Sequence, residues 1–191
     1  GLDDDCDGLV DEDFDLDGDG YTTCGVASDC DVLFDLYHEE DTWSDPYNYT
    51  TEHAWGYAAD DLLAAGYSWD ANSTEPLSLE LLSGYDSMVI AEPVTTFSSA
   101  EVDAVLDYVY AGGGALLITD FNEPYINAIA NELGVSFHGY SDLIGWTAIT
   151  DWDSSHPITD GVSSVFWAYG STMSVTDASV TVLATYSGTP V

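Results

Sequence analysis

The residues best suited to chemistry in this chain are the aspartates of its first thirty-one positions, GLDDDCDGLVDEDFDLDGDGYTTCGVASDCD. Asp3, Asp5, Asp7, Asp11, Asp13, Asp15, Asp17 and Asp19 all fall on odd positions, and Gly8 and Gly20 each follow one of them. Extended backbone sets residues i and i+2 about 6.5–7 Å apart, where two carboxylates repel by about 0.6 kcal/mol even in bulk water. No Lys or Arg exists anywhere in the sequence to relieve that repulsion. Such a segment either stays solvated as an acidic linker or captures hard cations. Asp3-x-Asp5-x-Asp7-Gly8 followed by Asp11 matches positions 1, 3, 5, 6 and 9 of an EF-hand-type loop, and Asp15-x-Asp17-x-Asp19-Gly20 repeats its first half. Glycine permits the sharp turn that lets spaced carboxylates converge on one ion. The closing bidentate Glu is missing, since Phe14 and Val26 stand in its places; Glu12, Asp13, Asp29 and Asp31 are the available substitutes. The repetition predicts calcium, about two ions.

The text DDCDGLVDEDFDLDGDGYTTC resembles the MopE-type metal-binding repeat of secreted bacterial proteins and, more loosely, thrombospondin type 3 repeats. The likeness runs from Gly1 to about Asp31. In that family a further Cys usually precedes the stretch matching Gly1-Leu2, which implies that this chain begins inside the motif. Cys24 and Cys30 would then pair locally and Cys6 would lack its partner, while a Cys6–Cys24 or Cys6–Cys30 bridge stays open. The family label also implies copper. Carboxylate oxygens are hard ligands that suit calcium, whereas copper favours imidazole and thiolate.

The ladder's charge is an extreme of the whole chain: 36 acids, four His, no Lys or Arg and a formal net charge of −36 over 191 residues. Twelve of the 36 acids lie in residues 1–31, and that drop in density marks the domain boundary, with a body over residues 32–191. At 46% hydrophobic and 13% aromatic content the chain has the material for a packed core. Without a basic footprint, nucleic-acid binding and docking on an anionic membrane are excluded. No apolar run reaches the length of a membrane span. Divalent cations, glycans and further copies of the chain remain as partners. All three cysteines sit in the ladder, and two N-x-T sequons occur at Asn48 and Asn72. Both features suit an extracellular or cell-surface setting, with Asn48 and Asn72 as glycosylation candidates.

The elements of the body alternate. Val32–Tyr37 reads as a strand ending at His38, and Glu52–Ala65 carries a helical pattern stopped by Gly66. A helical turn is expected over Leu77–Leu82 and a buried strand over Ser87–Ala91. Ser98 and Glu101 form a capping box that opens a helix with the stripe Val102, Val105, Leu106 and Val109. Gly112-Gly113-Gly114 ends it and feeds the strand Ala115–Thr119, and a further helix runs to Leu133. Strands alternating with helices predict a mainly parallel sheet in an α/β three-layer sandwich, preceded by the small calcium-loop module. Residues 140–160 read as loops and 162–186 as β segments, with Val180–Thr185 the clearest. The sequence stops at Ser187-Gly188-Thr189-Pro190-Val191 directly after a strand, and because a Ser-Gly turn normally leads into another, one or two further edge strands are expected past Val191.

GYDSMVIAEP, FSSAEVDAVLDYVYAGGGALLITD and HPITDG are similar to the class I glutamine-amidotransferase-like superfamily, nearest to its non-catalytic branches. That resemblance implies a flavodoxin-like sandwich. Its enzymes carry a nucleophilic Cys on the turn after the strand matching Leu116–Thr119, where this chain has Asp120-Phe121-Asn122. The Cys–His chemistry therefore does not carry over, and no catalytic residue is expected. Asp120 with His38 or His156, near strand ends, would be the chemical alternative; helix capping by Asp120 and structural roles for the histidines are the simpler one. His53 and His138 lack partners at zinc spacing. Tyr47, Tyr49, Trp146, Trp152, Trp167 and Tyr169 fall where they would either contact partners or glycans, or pack over sheet ends. The functional expectation is an extracellular calcium-binding structural protein that self-assembles into a filament or surface layer. The alternatives are a monomeric carbohydrate- or metal-binding module and a divergent hydrolase or amidotransferase relative.

Overall fold

The computed structural model describes residues 31–38, 55–119, 123–138, 143–149, 151–162, 165–170 and 172–191. Strands β1 (Asp31–Asp35), β2 (Ser68–Asn72), β3 (Ser87–Ala91) and β4 (Gly114–Ile118) form one sheet in the order β2-β1-β3-β4, with every neighbouring pair parallel. Parallel neighbours need crossover connections. Helices α1 (Trp55–Ala65), α2 (Leu79–Leu82) and α3 (Ser99–Tyr110) lie in those connections, and α4 (Glu123–Ala130) follows β4. Because side chains alternate along a strand, each strand feeds both faces. Leu33, Met88, Ile90 and Leu117 meet α2, α3 and α4 on one face, while Phe34, Val89, Ala91 and Ile118 meet Leu62 of α1 on the other. Helices, sheet and helix make the expected three-layer α/β sandwich. β1 is internal and starts at Asp31, paired with Ser68, so the strand begins one residue before the apolar run that predicts it.

The larger core lies under α3. Leu82, Val105, Ile126 and Ile129 are fully buried, each worth about 1.5–3 kcal/mol relative to exposure. The α3 capping box is present in full: Ser98 Oγ accepts from the Glu101 N–H at 3.3 Å and Glu101 Oε2 from the Ser98 N–H at 2.8 Å. The buried stripe is shifted from the expected one. It centres on Ala104, Val105 and Tyr108, while Leu106 is only half-buried and stands outside the core cluster. Tyr108 can be buried because its hydroxyl donates to the Tyr85 carbonyl at 3.1 Å. Burial, reinforced by the charge of Asp86, pushes its pKa up to about 12. The Tyr108 ring also explains one of the three consecutive glycines, since a Cβ on Gly113 would sit 2.2 Å from Tyr108 Cζ.

Beyond α4 the sheet gives way to small antiparallel pairs. β5 (Val135–Phe137) pairs with β9 (Met173–Val175), and β6 (Leu143–Ile149) with β8 (Val165–Gly170). β7 (Asp151–Trp152), β10 (Ala184–Tyr186) and β11 (Thr189–Pro190) form a third group. The loop reading of 140–160 is corrected by β6 and β7. Gly145 interrupts the apolar run, and β6 is made by a partner some twenty residues away across an irregular register between Leu143 and Trp146. The strand reading of Val180–Thr185 is corrected too, since only Ala184 onward is paired. A Ser-Gly turn joins β10 to β11 within the chain, pairing Tyr186 with Thr189. Ser187 and Gly188 adopt φ of 52° and 81°, the left-handed pair that matches the twist of a two-residue hairpin.

Gly113→Ala should displace the Tyr108 ring and weaken its bond to Tyr85. Overpacking of this kind costs about 1–3 kcal/mol, read as a lower thermal midpoint; an unchanged midpoint would show that the ring yields freely.

Candidate functional site: a histidine clamped between two carboxylates

Ligand sites of open parallel sheets lie at the carboxyl ends of the strands, where the connections diverge. Here that place is the end of β1 beside β3, from which the chain turns to β2 on one side and β4 on the other. Asp35 closes β1, and His38 follows it after a tight bend in which the Tyr37 N–H donates to Asp35 Oδ1 at 3.3 Å. His38 Nδ1 lies 2.7 Å from Asp35 Oδ2, and its Nε2 lies 2.9 Å from Glu101 Oε1. All three side chains are buried, His38 to 2% exposure, Asp35 to 3% and Glu101 to 6%.

Ionised carboxylates only accept hydrogen bonds. Two such bonds to one imidazole therefore require two hydrogens among the three groups, giving the cluster a net charge of −1 whichever atom holds the second. Among the described residues, the ion pairs are those of His38. Burial by itself would raise the Glu101 pKa. Hydrogen bonds from Ser98, the charge of His38 and the Leu77 N–H outweigh it and hold the carboxyl below its usual value. Glu101 thereby joins three pieces of the fold: its own helix cap at the end of the loop after β3, the end of β1 through His38, and the Leu77 segment before α2.

The imidazole is sealed on its faces as well. Phe97 lies over it at a centroid distance of 4.0 Å, and Tyr37 meets it edge-on at 5.2 Å. The His38 carbonyl accepts from the Val94 and Thr95 N–H groups and from Thr95 Oγ1. Directly after β3, Glu92 takes φ of 49°, a left-handed conformation uncommon for a residue with a side chain. It holds its place through its N–H to the Ile118 carbonyl at 3.0 Å. With both ring nitrogens engaged and the residue 2% exposed, the geometry is that of a lock holding the end of β1 to α3.

The remaining candidates divide plainly. Asp3, Asp5, Asp7, Asp11, Asp13, Asp15, Asp17, Asp19, Asp29, Cys6, Cys24, Cys30 and Asn48 lie outside the described residues, as do His53, Tyr47, Tyr49 and Asp120. Asp31 is the first residue of β1. Asn72 is buried at the end of β2, its Nδ2 donating to the Glu75 carbonyl at 2.7 Å and its Oδ1 accepting from the Thr74 and Glu75 N–H groups. The Asn72 amide is thus committed to a turn inside the fold. His156 and His38 each have their own partners rather than sharing a centre. His156 Nδ1 accepts from the Ile158 N–H at 3.3 Å in a turn beside Asp153. His138 has Thr172 Oγ1 at 2.9 Å and Ser174 Oγ at 2.6 Å. Trp152 is half-buried on β7, and Trp146, Trp167 and Tyr169 lie on β6 and β8. Among the described residues, no group of three His, Cys, Asp or Glu side chains is arranged to hold a metal. Sequence reasoning saw Glu101 only as a cap and missed its bond to His38, far away along the chain; the signal available was that a buried carboxylate here has only histidine for a cation.

No protein-family model matches the chain, and no curated protein matches it in sequence. Solved structures do. The mmIFT52 N-terminal domain superposes with a TM-score of 0.59 at 16% identity, covering 81% of this chain and 72% of that one. A putative GMP synthase component from Thermoplasma acidophilum gives a TM-score of 0.52 at 14% identity, with the same coverage of 81% and 72%. At these identities the likeness is one of fold.

Removing the imidazole with His38→Gln should leave two buried carboxyl groups without the ring that bonds them both and destabilise the fold by about 3–5 kcal/mol, measured by urea unfolding. A loss under about 1 kcal/mol, the range of an exposed pair, would dissolve the lock. The folded pKa of Glu101 lies below its unfolded value of 4.5. Its contribution is therefore complete above that value and is lost as pH falls through the lower folded one. Unfolding free energies measured from about pH 6 to about pH 3 should decline more steeply for the native chain than for Glu101→Gln.

Proposed function

We propose that this chain is a calcium-binding structural module of an extracellular protein, which assembles with copies of itself into a filament or surface layer through its Asp-rich ladder. The observation that carries the reading is the place where the ladder joins the body. Asp31 is at once the last carboxylate of the ladder and the first residue of β1, a strand hydrogen-bonded on both sides. A cation-bound loop ending there is coupled to the interior of the sheet with no linker between them. The sealed His38 cluster is in keeping with a body built to hold its shape. Cations also answer the charge problem, because copies of a chain at −36 repel one another until divalent ions bridge or neutralise their acids.

Titration calorimetry of the full chain should detect about two calcium ions, and sedimentation should show larger species with calcium than with chelator. Copper should not compete at equal concentration, because oxygen ligands dominate the ladder. A chain that takes up no calcium, or that stays monomeric at every calcium level, would overturn the reading; the latter result would favour a monomeric binding module.

A further inference from the structure

A second histidine is built into the molecule away from the His38 cluster, and hydroxyls rather than carboxylates surround it. β5 and β9 pair antiparallel, with Ser136 opposite Ser174 and Phe137 opposite Met173. The same register sets His138, the residue after β5, opposite Thr172, and the His138 N–H donates to the Thr172 carbonyl at 2.9 Å. Side chains two apart on extended backbone share a face. Direct and diagonal cross-strand neighbours are both within reach of a long side chain, and the imidazole uses both. Thr172 Oγ1 lies 2.9 Å from its Nδ1, and Ser174 Oγ lies 2.6 Å from its Nε2. His138 and Ser174 are half-buried, and Thr172 is buried.

The two lengths assign the protons. Bonds donated by N–H centre on about 2.9–3.0 Å, whereas those donated by O–H are shorter, about 2.7–2.8 Å. A neutral imidazole has one N–H and one bare nitrogen. The longer contact is therefore assigned to Nδ1–H donating to Thr172, and the shorter one to the Ser174 hydroxyl donating to Nε2. In that order the residues are a nucleophile, a base placed to take its proton, and a third group that orients the base. The scaffold fixes the base from a further side. Asn127 of α4 donates from Nδ2 to the Phe137 carbonyl at 2.9 Å and accepts at Oδ1 from the Phe137 N–H at 2.8 Å. At the other end of the pair the Thr176 N–H donates to the Gly134 carbonyl at 2.8 Å, in an approach so close that a Cβ on Gly134 would collide with Asp177. Sites carried on such fixed elements keep their geometry better than sites on loops.

We propose that Ser174 is a nucleophile, activated by His138 and oriented through Thr172, that accepts the acyl group of an uncharged ester. Ser174 Oγ bonds to the carbonyl carbon while its proton passes to His138 Nε2. The bond from that carbon to the alcohol oxygen then breaks, and the alcohol leaves with the proton from His138. Water, deprotonated in turn by His138, releases the acyl group as a carboxylic acid and restores the serine. The substrate class follows from charge. No Lys or Arg is present to hold a carboxylate or phosphate, and a chain at −36 repels anions. This reaction involves neither the ladder nor calcium and stands apart from the assembly proposed above.

The test is labelling of the full chain with an uncharged alkyl fluorophosphonate, which bonds covalently to activated serines. Mass spectrometry then locates the adduct after cleavage at acidic residues, since the chain has no Lys or Arg for trypsin. A single adduct at Ser174 is expected, absent from Ser174→Ala. His138→Gln should slow its formation about a hundredfold or more, the usual share of a general base. Thr172→Val should also slow it, and Thr172→Ser, which keeps the hydroxyl, should restore the native rate. The urea-unfolded chain should not react, a comparison that needs no variant to fold. p-Nitrophenyl acetate should be hydrolysed steadily by the native chain and not by Ser174→Ala. No adduct, an adduct elsewhere, equal labelling in urea, or a rate indifferent to His138→Gln would overturn the activated serine. An adduct at Ser174 without ester turnover would overturn the reaction assigned to it.

Discussion

Without Lys or Arg, each carboxylate that the fold orders must draw its hydrogen-bond donors from backbone amides, hydroxyls, Asn amides, Trp indoles or histidine. That constraint shapes local structure throughout the body. Asp153 accepts from the backbone and hydroxyl of Ser155, and Asp177 from those of Ser179, bonds that lower both pKa values. Tyr85 donates its hydroxyl to Asp70, and Thr185 donates to Asp151. These pairs are exposed, where a hydroxyl or a nearby amide suffices as donor. In the interior, where an unpaired charge is most costly, the chain brings in a histidine whose two ring nitrogens face two carboxyl groups. Asp35, His38 and Glu101 are the result, and they stand where β1, the loop after β3, the Leu77 segment and α3 converge.

The cluster's location has a chemical consequence. In an open α/β sheet the strand ends are where reactive groups usually meet solvent. Here the same position is filled by a ring bonded at both nitrogens, stacked on Phe97 and roofed by residues 92–98. The likeness to the mmIFT52 N-terminal domain and to a putative GMP synthase component therefore tells of shared architecture, since activity belongs to sites rather than folds.

Much of this architecture was legible in the sequence, and the reasons are local. Ser98 and Glu101 announce α3 because a capping box is read within four residues, and the short, uniformly apolar runs of β3 and β4 read as parallel strands, β3 buried and β4 with Ala115 and Leu116 exposed. What escaped depends on distance. β6 was hidden because Gly145 breaks its run and its partner lies across an irregular register. Tyr108 replaced Leu106 in the core because the Tyr85 carbonyl and the bare backbone of Gly113 make room for a phenol. Asn72 satisfied a three-letter sequon, yet the chain folds its amide into a turn that no three letters reveal. The metal ladder was the loudest signal in the sequence, and all of it but Asp31 lies outside the described residues.

β1 takes on a further meaning when the molecule is regarded as something that can be pulled. A load passed through the residues before Asp31 would enter the sheet along the axis of a strand bonded to β2 on one side and β3 on the other. The strand can leave only by sliding against both neighbours, so its ladder bonds are strained together, whereas a strand peeled from a sheet edge loses them singly. At its far end it is moored by the His38 bonds to Asp35 and Glu101. The same bonds that hold His38 between Asp35 and Glu101 thus tie the far end of β1 to α3, against a load that would draw the strand lengthwise.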